Sequence, residues 1–360
     1  MKNSFWKNKK VFVTGHTGFK GSWLVIILRH LGAKVSGYAL DPISKPNFFD
    51  NLELSKFLEN DFRADIKNFS KLNKAIKRSK PNIVFHLAAQ SSVLVSYNNP
   101  DDTIKTNVIG TFNLLKAVKL NKNIKSTIVV TTDKVYLNED KKINFDENSK
   151  LGGHDIYSSS KACCEILTES FVKSFIDNNK CKIATVRSGN CIGGGDWTKD
   201  RIVKDCIEAF INKKKLVIRS PNSTRPWQHV MEPVCGYLKL AEKLSGKNGK
   251  KFVGSWNFGP SRVNLSVLNL AKLGKKIFNS SSKIVIEQKK TKKHEAKYLS
   301  LDSKKSFKYL KWKIHMKPEL SLKLTFDWFK VFYASKGNSK KVVKFTINQF
   351  ENFKRKVKYF

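Results

Sequence analysis

The chain has 360 residues, 40% of them hydrophobic, and its 69 Lys and Arg against 29 Asp and Glu give a formal net charge of +40. That length suits a large α/β unit with a smaller lobe and buries a core without covalent staples. No stretch approaches the roughly 18–20 apolar residues of a membrane span, and MKNSFWKNKKVFVTG lacks the apolar segment of a secretory leader. The expectation is a cytoplasmic protein with no membrane association.

The basic excess is mostly Lys rather than Arg, and specific readers of nucleic acid lean on Arg. It is read as a Lys-rich solvated surface with no specific nucleic-acid partner, whose field attracts anionic small molecules. Of the cysteines Cys163, Cys164, Cys181, Cys191, Cys206 and Cys235, none makes a C-x-x-C pair, and no His stands at zinc-finger spacing. They read as reduced thiols, and no metal is expected.

Along the first two-thirds of the chain, short β-rich runs alternate with helical patterns, which predicts parallel βαβ units. Lys10 to Thr14 reads as a strand, Phe19 to Leu31 as a buried helix and Lys34 to Ala39 as the second strand. Asn82 to Leu87 follows as a strand, then Thr103 to Leu120 as a helix and Ser126 to Thr131 as a strand. Tyr157 to Val172 reads as a helix and Lys182 to Arg187 as the next strand. The predicted fold is α/β, a doubly wound parallel (Rossmann) sheet over residues 5–188. A smaller substrate-binding lobe spans 189–335, with some return to the main sheet. The basic amphipathic segment 336–360 is expected to pack on the body as a terminal helix.

Gly15, Gly18 and Gly21 form G-x-x-G-x-x-G directly after the first strand and open a helix. Such a turn brings backbone N–H groups and a helix N-terminus against a pyrophosphate, where a Cβ would block the approach. Gly15, His16, Thr17, Gly18, Phe19 and Gly21 are therefore candidate dinucleotide contacts. His16 and Lys20 stand where smaller residues would be easier, and one or both are expected to help neutralise the pyrophosphate. Asp41, after the second strand, is placed to accept bonds from a ribose, which favours NAD over NADP. Leu87, Ala88 and Ala89 supply small side chains where the cofactor lies close.

Tyr157 and Lys161 form Y-x-x-x-K, an i, i+4 pair on one helical face. The ammonium is expected to stabilise the phenolate, so that Tyr157 serves as a base. Thr132, Asp133 and Lys134 end the middle strand, at the edge where chemistry collects in doubly wound sheets. A simple reductase or epimerase needs only the hydroxyl, the Tyr and the Lys. The additional Asp and Lys imply further proton transfers, as an elimination of water requires.

With these residues together, the chain resembles the CDP-glucose 4,6-dehydratases of the extended short-chain dehydrogenase/reductases over roughly residues 5–335. The resemblance is carried by VTGHTGFKGSW, FHLAAQ, TNVIGT, TTDKVY, LGGHDIYSSSKA, SGNCIGGGDW, TRPWQHVMEP and WNFGP. It implies tightly held NAD and oxidation of CDP-glucose at C4 by Tyr157, with Thr132 on the C4 oxygen. Elimination across C5 and C6 follows, with Asp133 as acid and Lys134 as candidate base, and hydride then returns to C6. It also implies adenine contacts from Asp65 and Ile66 and sugar or phosphate contact from Asn190. Arg225 would hold the diphosphate, with Arg201 and Arg219 as weaker candidates. His229, Trp227 and Glu295 would shape the nucleotide pocket. A homo-oligomer is implied, a dimer through the helices at Thr103 and Tyr157 or a tetramer. The alternatives are a dTDP- or GDP-sugar dehydratase, a 4-epimerase and, remotely, a nucleic-acid-binding scaffold.

Overall fold

The computed structural model describes residues 3–139, 143–177, 180–260, 265–287 and 298–357. Strands β1 (Lys10–Thr14), β2 (Lys34–Ala39), β3 (Asn60–Arg63), β4 (Ile83–His86), β5 (Ser126–Val130), β6 (Lys182–Ser188) and β7 (Gly254–Phe258) form one sheet. Its seven strands lie in the order β7-β6-β5-β4-β1-β2-β3, and every pairing is parallel. The chain winds outward from β1 in one direction and from β4 in the other. Val11 pairs with both Val35 and Ile83, so the reversal of strand order falls between β1 and β4. Ligands bind at the carboxyl ends of the strands at such a point.

Alternate side chains of a strand face opposite layers. Val11 and Val13 enter one core with Trp23 to Leu28 of α1 (Phe19–His30), while Phe12 enters the other. That second core is closed by α2 (Phe69–Ser79), α3 (Gly110–Leu120) and α4 (Ile156–Phe175). Burial on both faces explains why the strands read as continuous apolar runs.

The helix expected over Thr103 to Leu120 is interrupted. Pro100–Ile104 is α-helical, Lys105–Ile109 opens into one wide π-turn, and α3 begins at Gly110. The wide turn points Asn107 inward, where it accepts from Gln90 N at 2.9 Å and donates to Gln90 O at 3.0 Å and to Ser160 Oγ at 2.8 Å. This ties the loop after β4 to α4.

After β6 the chain builds the lobe from α5 (Ile202–Ile211), α7 (Val267–Phe278) and, among the described residues, three two-stranded pieces, while α6 (Met231–Ser245) returns to pack on β5, β6, β7 and α1. The turn Gly193–Gly195 is pressed onto aromatic rings. A Cβ on Gly194 would stand 2.0 Å from Trp328, and one on Gly195, at φ +84°, 1.7 Å from Phe48. Phe48 and Trp328 stack at 5.5 Å, and the Trp23 indole donates to Gly194 O at 3.0 Å. Helices α8 (Pro318–Ala334) and α9 (Ser339–Lys356) complete the body. The basic α9 buries Val342, Phe350 and Phe353, and Trp328 Nε1 donates to Thr346 Oγ1 at 2.8 Å. No helix among the described residues is long and apolar enough to cross a membrane.

Candidate active site

A cleft of about 700 Å³ runs along the carboxyl ends of the strands between sheet and lobe. Its first part is the glycine turn. Gly15 has φ +71°, and a Cβ there would lie 2.6 Å from Ala88 N. A Cβ on Gly21 would lie 2.1 Å from Gly15 O. Gly18 caps α1 without a side-chain bond, so no side chain competes for the first amides of that helix, which suits them to an anion. Thr17 donates from its hydroxyl to Leu40 O at 3.0 Å, and Phe19 joins the cleft wall. Leu87, Ala88 and Ala89 line the adjacent stretch.

At the far end, the Asp41 carboxylate is 86% exposed and accepts from Arg63 Nη1 at 3.2 Å. Asp65 and Ile66 line the same end, with the Tyr38 hydroxyl donating to Asp65 O at 2.8 Å. These residues fit a dinucleotide: a tight glycine cradle, a helix N-terminus and an acid just after β2 lining the same cleft.

The side chain of His16 departs from expectation. It is fully buried and turned away from the cleft, with Nε2 2.9 Å from Asp61 Oδ1 and its ring edge-on to Phe49. A Cβ on Gly37 would stand 2.5 Å from the ring, so β2 leaves a hole that the imidazole fills. The ring is core, not a pyrophosphate ligand. Lys20 also turns from the phosphate turn: it donates to Ser188 Oγ at 2.9 Å and to Tyr237 Oη at 3.4 Å. Burial works against its charge, but the Cys191 thiol and Tyr237 phenol beside it hold its pKa above the usual lysine range.

The second part of the cleft holds the candidate reaction centre. Asp155 caps α4 by accepting from Ser158 N at 2.9 Å, which sets Tyr157 in the first turn and Lys161 one turn on. Both are buried. Lys161 Nζ donates to Val130 O at 3.2 Å, anchoring the helix to the end of β5. Burial, reinforced by the charge of Lys20, lowers the Lys161 pKa. Burial raises that of Tyr157, and the Thr132 hydroxyl, Arg201 and Lys20 pull it back. The cations that most favour the phenolate are thus Arg201 and Lys20, rather than Lys161 alone.

Thr132 caps the single turn Asp133–Val135, and its hydroxyl donates to Asp133 Oδ1 at 3.1 Å. Asp133 is 2% exposed, and its Oδ2 is buried with no hydrogen-bond partner among the described residues. Burial raises its pKa, opposed by Lys134, Thr132, Arg225 and Lys20. A carboxyl so placed suits the role of an acid. Gly189 keeps the facing space open, since a Cβ there would stand 3.1 Å from Asp133 Oδ2. Lys134 lines the cleft beside it.

The lobe contributes the rest. Asn190, Arg201, Arg219, Arg225 and Trp227 all line the cleft. Arg225 is buried and donates from Nη1 to Thr224 O at 2.7 Å, whereas Arg219 is exposed and pairs with Asp200 at 3.3 Å. His229 does not reach the cleft. It is fully buried against Trp23, its Nδ1 accepts from Met231 N at 3.3 Å, and burial pushes its pKa down to about 3. His229 is therefore a neutral histidine of the core and not a wall of the nucleotide pocket. Glu295 lies outside the described residues.

Sequence reasoning missed Glu165, Arg187 and Tyr136, which lie beneath the reaction centre. A signal existed: Glu165 falls in register with Tyr157 and Lys161 on the inward face of α4.

The family profile described as GDP-mannose 4,6 dehydratase matches residues 12–324. The chain belongs to the GDP-mannose 4,6-dehydratase family. Among the relatives of this GDP-mannose 4,6-dehydratase family member is the CDP-glucose 4,6-dehydratase of Salmonella typhimurium, 42% identical over 315 residues, covering 86% of this chain and 87% of that one. The dTDP-D-glucose 4,6-dehydratase of Dictyostelium discoideum is 29% identical over 65% of this chain and 56% of its own length. Among solved structures, the Thermotoga maritima UDP-glucose 4-epimerase with UDP-glucose superimposes with TM-score 0.76 at 25% identity, covering 89% of this chain and 98% of that one. The Bacillus anthracis dTDP-glucose 4,6-dehydratase in complex with NAD gives 0.74 at 21% identity, covering 89% and 96%, and shares the fold.

Proposed function

We propose that the protein is an NAD-dependent hydro-lyase converting CDP-D-glucose to CDP-4-dehydro-6-deoxy-D-glucose and water, in the cytoplasm and in service of deoxysugar and polysaccharide synthesis. The observation that carries this reading is the buried Asp133 carboxyl, with an oxygen unpartnered among the described residues, beside Thr132 and Tyr157. An epimerase has no use for such an acid. The substrate class is supported by the 42% identical relative, whose likeness covers 86% of this chain.

The glycine turn, α1 and Asp41 would hold NAD, which when bound would supply the hydride acceptor and later the hydride donor. Tyr157, as phenolate, takes the proton of the C4 hydroxyl, and Thr132 steadies that oxygen. Asp133 gives a proton to the departing C6 hydroxyl, and Lys134 takes the C5 proton and gives it back to C5 when C6 accepts the hydride. Arg225, with Arg201 and Arg219, holds the diphosphate, the bidentate anion for which a guanidinium fork is suited. Asn190 contacts the sugar side. The apolar Ile109, Phe112 and Ile166, 47%, 36% and 54% exposed on the segment before α3, on α3 and on α4, supply the face of a homodimer. Phe112→Lys is expected to release monomers in sedimentation.

The test is incubation of purified protein with CDP-, dTDP-, UDP- and GDP-linked hexoses, with and without NAD. Turnover confined to CDP-glucose, with loss of one water by mass spectrometry and no net reduced cofactor, is the expected outcome. Absence of water loss from every sugar refutes the reading.

A further inference from the structure

Beneath the cleft lies a buried polar relay that no step of the proposed reaction uses. Glu165 and Arg187 are joined by two parallel bonds, Arg187 Nε to Glu165 Oε1 and Nη2 to Oε2, each 3.0 Å. This is the fork geometry in which a guanidinium and a carboxylate bind most strongly. Each carboxylate oxygen takes a second donor, the Thr131 hydroxyl on Oε1 and the Thr185 hydroxyl on Oε2. The remaining guanidinium nitrogen, Nη1, donates to the Tyr136 hydroxyl at 2.8 Å and to Glu147 O at 3.3 Å. The Tyr136 hydroxyl donates in turn to Asn257 Oδ1 at 2.7 Å. Asn257 Nδ2 donates to Phe145 O and Asp302 O at 2.9 and 3.1 Å.

The placement is specific. Tyr157, Lys161 and Glu165 follow one another at i, i+4 and i+8 along one face of α4. Thr131 immediately precedes Thr132, and Tyr136 immediately follows the turn Asp133–Val135. The ion pair therefore grips both ends of the segment bearing Asp133 and Lys134, while its carboxylate belongs to the helix bearing Tyr157 and Lys161. Tyr136 is fixed further by stacking on Phe145 at 4.9 Å and by the Arg187 guanidinium 5.0 Å from its ring. Apolar residues of equal volume hold a core together as well as a buried ion pair, and often better. What they lack is direction, and directional bonds at both ends of a short turn fix its orientation.

We propose that the Glu165–Arg187 pair, acting through Thr131 and Tyr136, is a positioning device that holds Asp133 and Lys134 in register with Tyr157 and Lys161, so that C4 oxidation proceeds to elimination instead of ending at the ketone. This rests on the dehydratase reading above. In the intact enzyme the C4 hydride passes to the cofactor and the hydroxyl proton to Tyr157. The C5 proton is then removed and the C6–O bond breaks, the oxygen leaving as water with the proton of Asp133. The hydride finally returns to C6 while C5 takes back a proton, and the proton held by Tyr157 makes good, through solvent, the one that Asp133 gave to the departing water. Loss of register stops this sequence after its first step: the sugar is left oxidised at C4, the bound cofactor is left reduced, and no water departs.

Tyr136→Phe removes the hydroxyl and keeps the ring. In single turnovers with CDP-glucose, reduced-nicotinamide absorbance is expected to appear at the wild-type rate and persist, while water loss slows by about tenfold to a hundredfold. Arg187→Lys keeps the charge without the fork and is expected to show the same partition. Thr185→Val alters the same carboxylate but not the turn, and is expected to behave as wild type. In cofactor-free protein, amide hydrogen exchange over residues 132–136 should quicken in Tyr136→Phe and not in Thr185→Val. Oxidation and water loss slowing in step, or exchange unchanged, overturns the proposal and makes the pair scaffolding. Wild-type protein that takes no water from CDP-glucose sinks the dehydratase reading instead, and the exchange result then still decides whether the pair holds the turn.

Discussion

Asp133→Asn separates the chemistry of the carboxyl from its cost to the fold. The side chain is 2% exposed, its Oδ1 accepts from Thr132 at 3.1 Å, and its Oδ2 has no partner among the described residues. Asparagine preserves the volume and the Thr132 contact but has no proton to give. General acid catalysis contributes about 10²–10⁴ in rate, which is about 3–5 kcal/mol of barrier. Water loss from CDP-glucose should slow by that factor, while C4 oxidation, which needs Tyr157 and Thr132, continues, so reduced cofactor accumulates. The effect on stability runs the other way. Burial raises the pKa of this carboxyl, so its charge opposes folding at any pH above that raised value. The opposition fades as pH falls toward the ordinary carboxylate range, where the wild-type group is protonated in both states. The neutral variant should therefore match or exceed wild type at neutral pH, by about 1 kcal/mol or about 2 °C in Tm, with the advantage shrinking on acidification. Mass spectrometry of single turnovers and thermal melts across pH measure the two effects. Water loss within about tenfold of wild type refutes the assignment of the acid, and a lower melting temperature at neutral pH refutes the burial argument.

Gly21→Ala places a Cβ 2.1 Å from Gly15 O; because the clash is with backbone, the turn must open, and calorimetry should find NAD affinity reduced by about tenfold or more. Arg201→Met removes the first cation that favours the Tyr157 phenolate, so the rise of kcat/KM with pH should move to higher pH. His229→Phe should leave KM for the nucleotide sugar unchanged, since the wild-type ring does not reach the cleft. Because burial holds the His229 pKa down at about 3 against an ordinary 6.5, neutral His229 favours the fold above pH 6.5, and that contribution is lost as pH falls toward 3. Denaturant titrations of His229→Phe should show this decline flattened by up to about 1.4 kcal/mol per pH unit. Asp41→Ala removes an acid that is 86% exposed, so stability should change by less than about 0.5 kcal/mol while NADP gains affinity relative to NAD.

The residues legible in the sequence are those whose role is written in local spacing. Gly15, Gly18 and Gly21 announce the cradle because strand, turn and helix adjoin, and Tyr157 and Lys161 lie on one helical face by spacing alone. Strands such as Lys10–Thr14 and Lys34–Ala39 are apolar enough to read directly. β3 (Asn60–Arg63) escapes notice because NDFR is an edge strand only half buried, with little apolar pattern. The return of Gly254–Phe258 to the sheet beside β6 depends on pairing across distant sequence. His16 misleads because motif position suggests a phosphate contact, whereas its direction is set by the hole that Gly37 leaves in β2. A glycine inside a strand is the available hint, since it marks a close approach of another group. Arg187 and Glu165 are invisible as a pair because 22 residues separate them and only the crossing of α4 over β6 joins them.

The turn at Gly193–Gly195 bears on how this enzyme could be bred for other sugars. Because Phe48 and Trp328 stand where any side chain on Gly194 or Gly195 would go, randomising that turn disturbs the aromatic core before it alters recognition. The cleft-lining stretches Asp196–Arg201 and Arg219–Arg225 are bordered by this fixed turn and by α5, and they carry the arginines offered to the diphosphate. Libraries confined to those stretches, with the buried Trp197 kept because it packs on Trp328, Phe329 and Phe332, vary what the cleft accepts while leaving the aromatic core under the turn untouched.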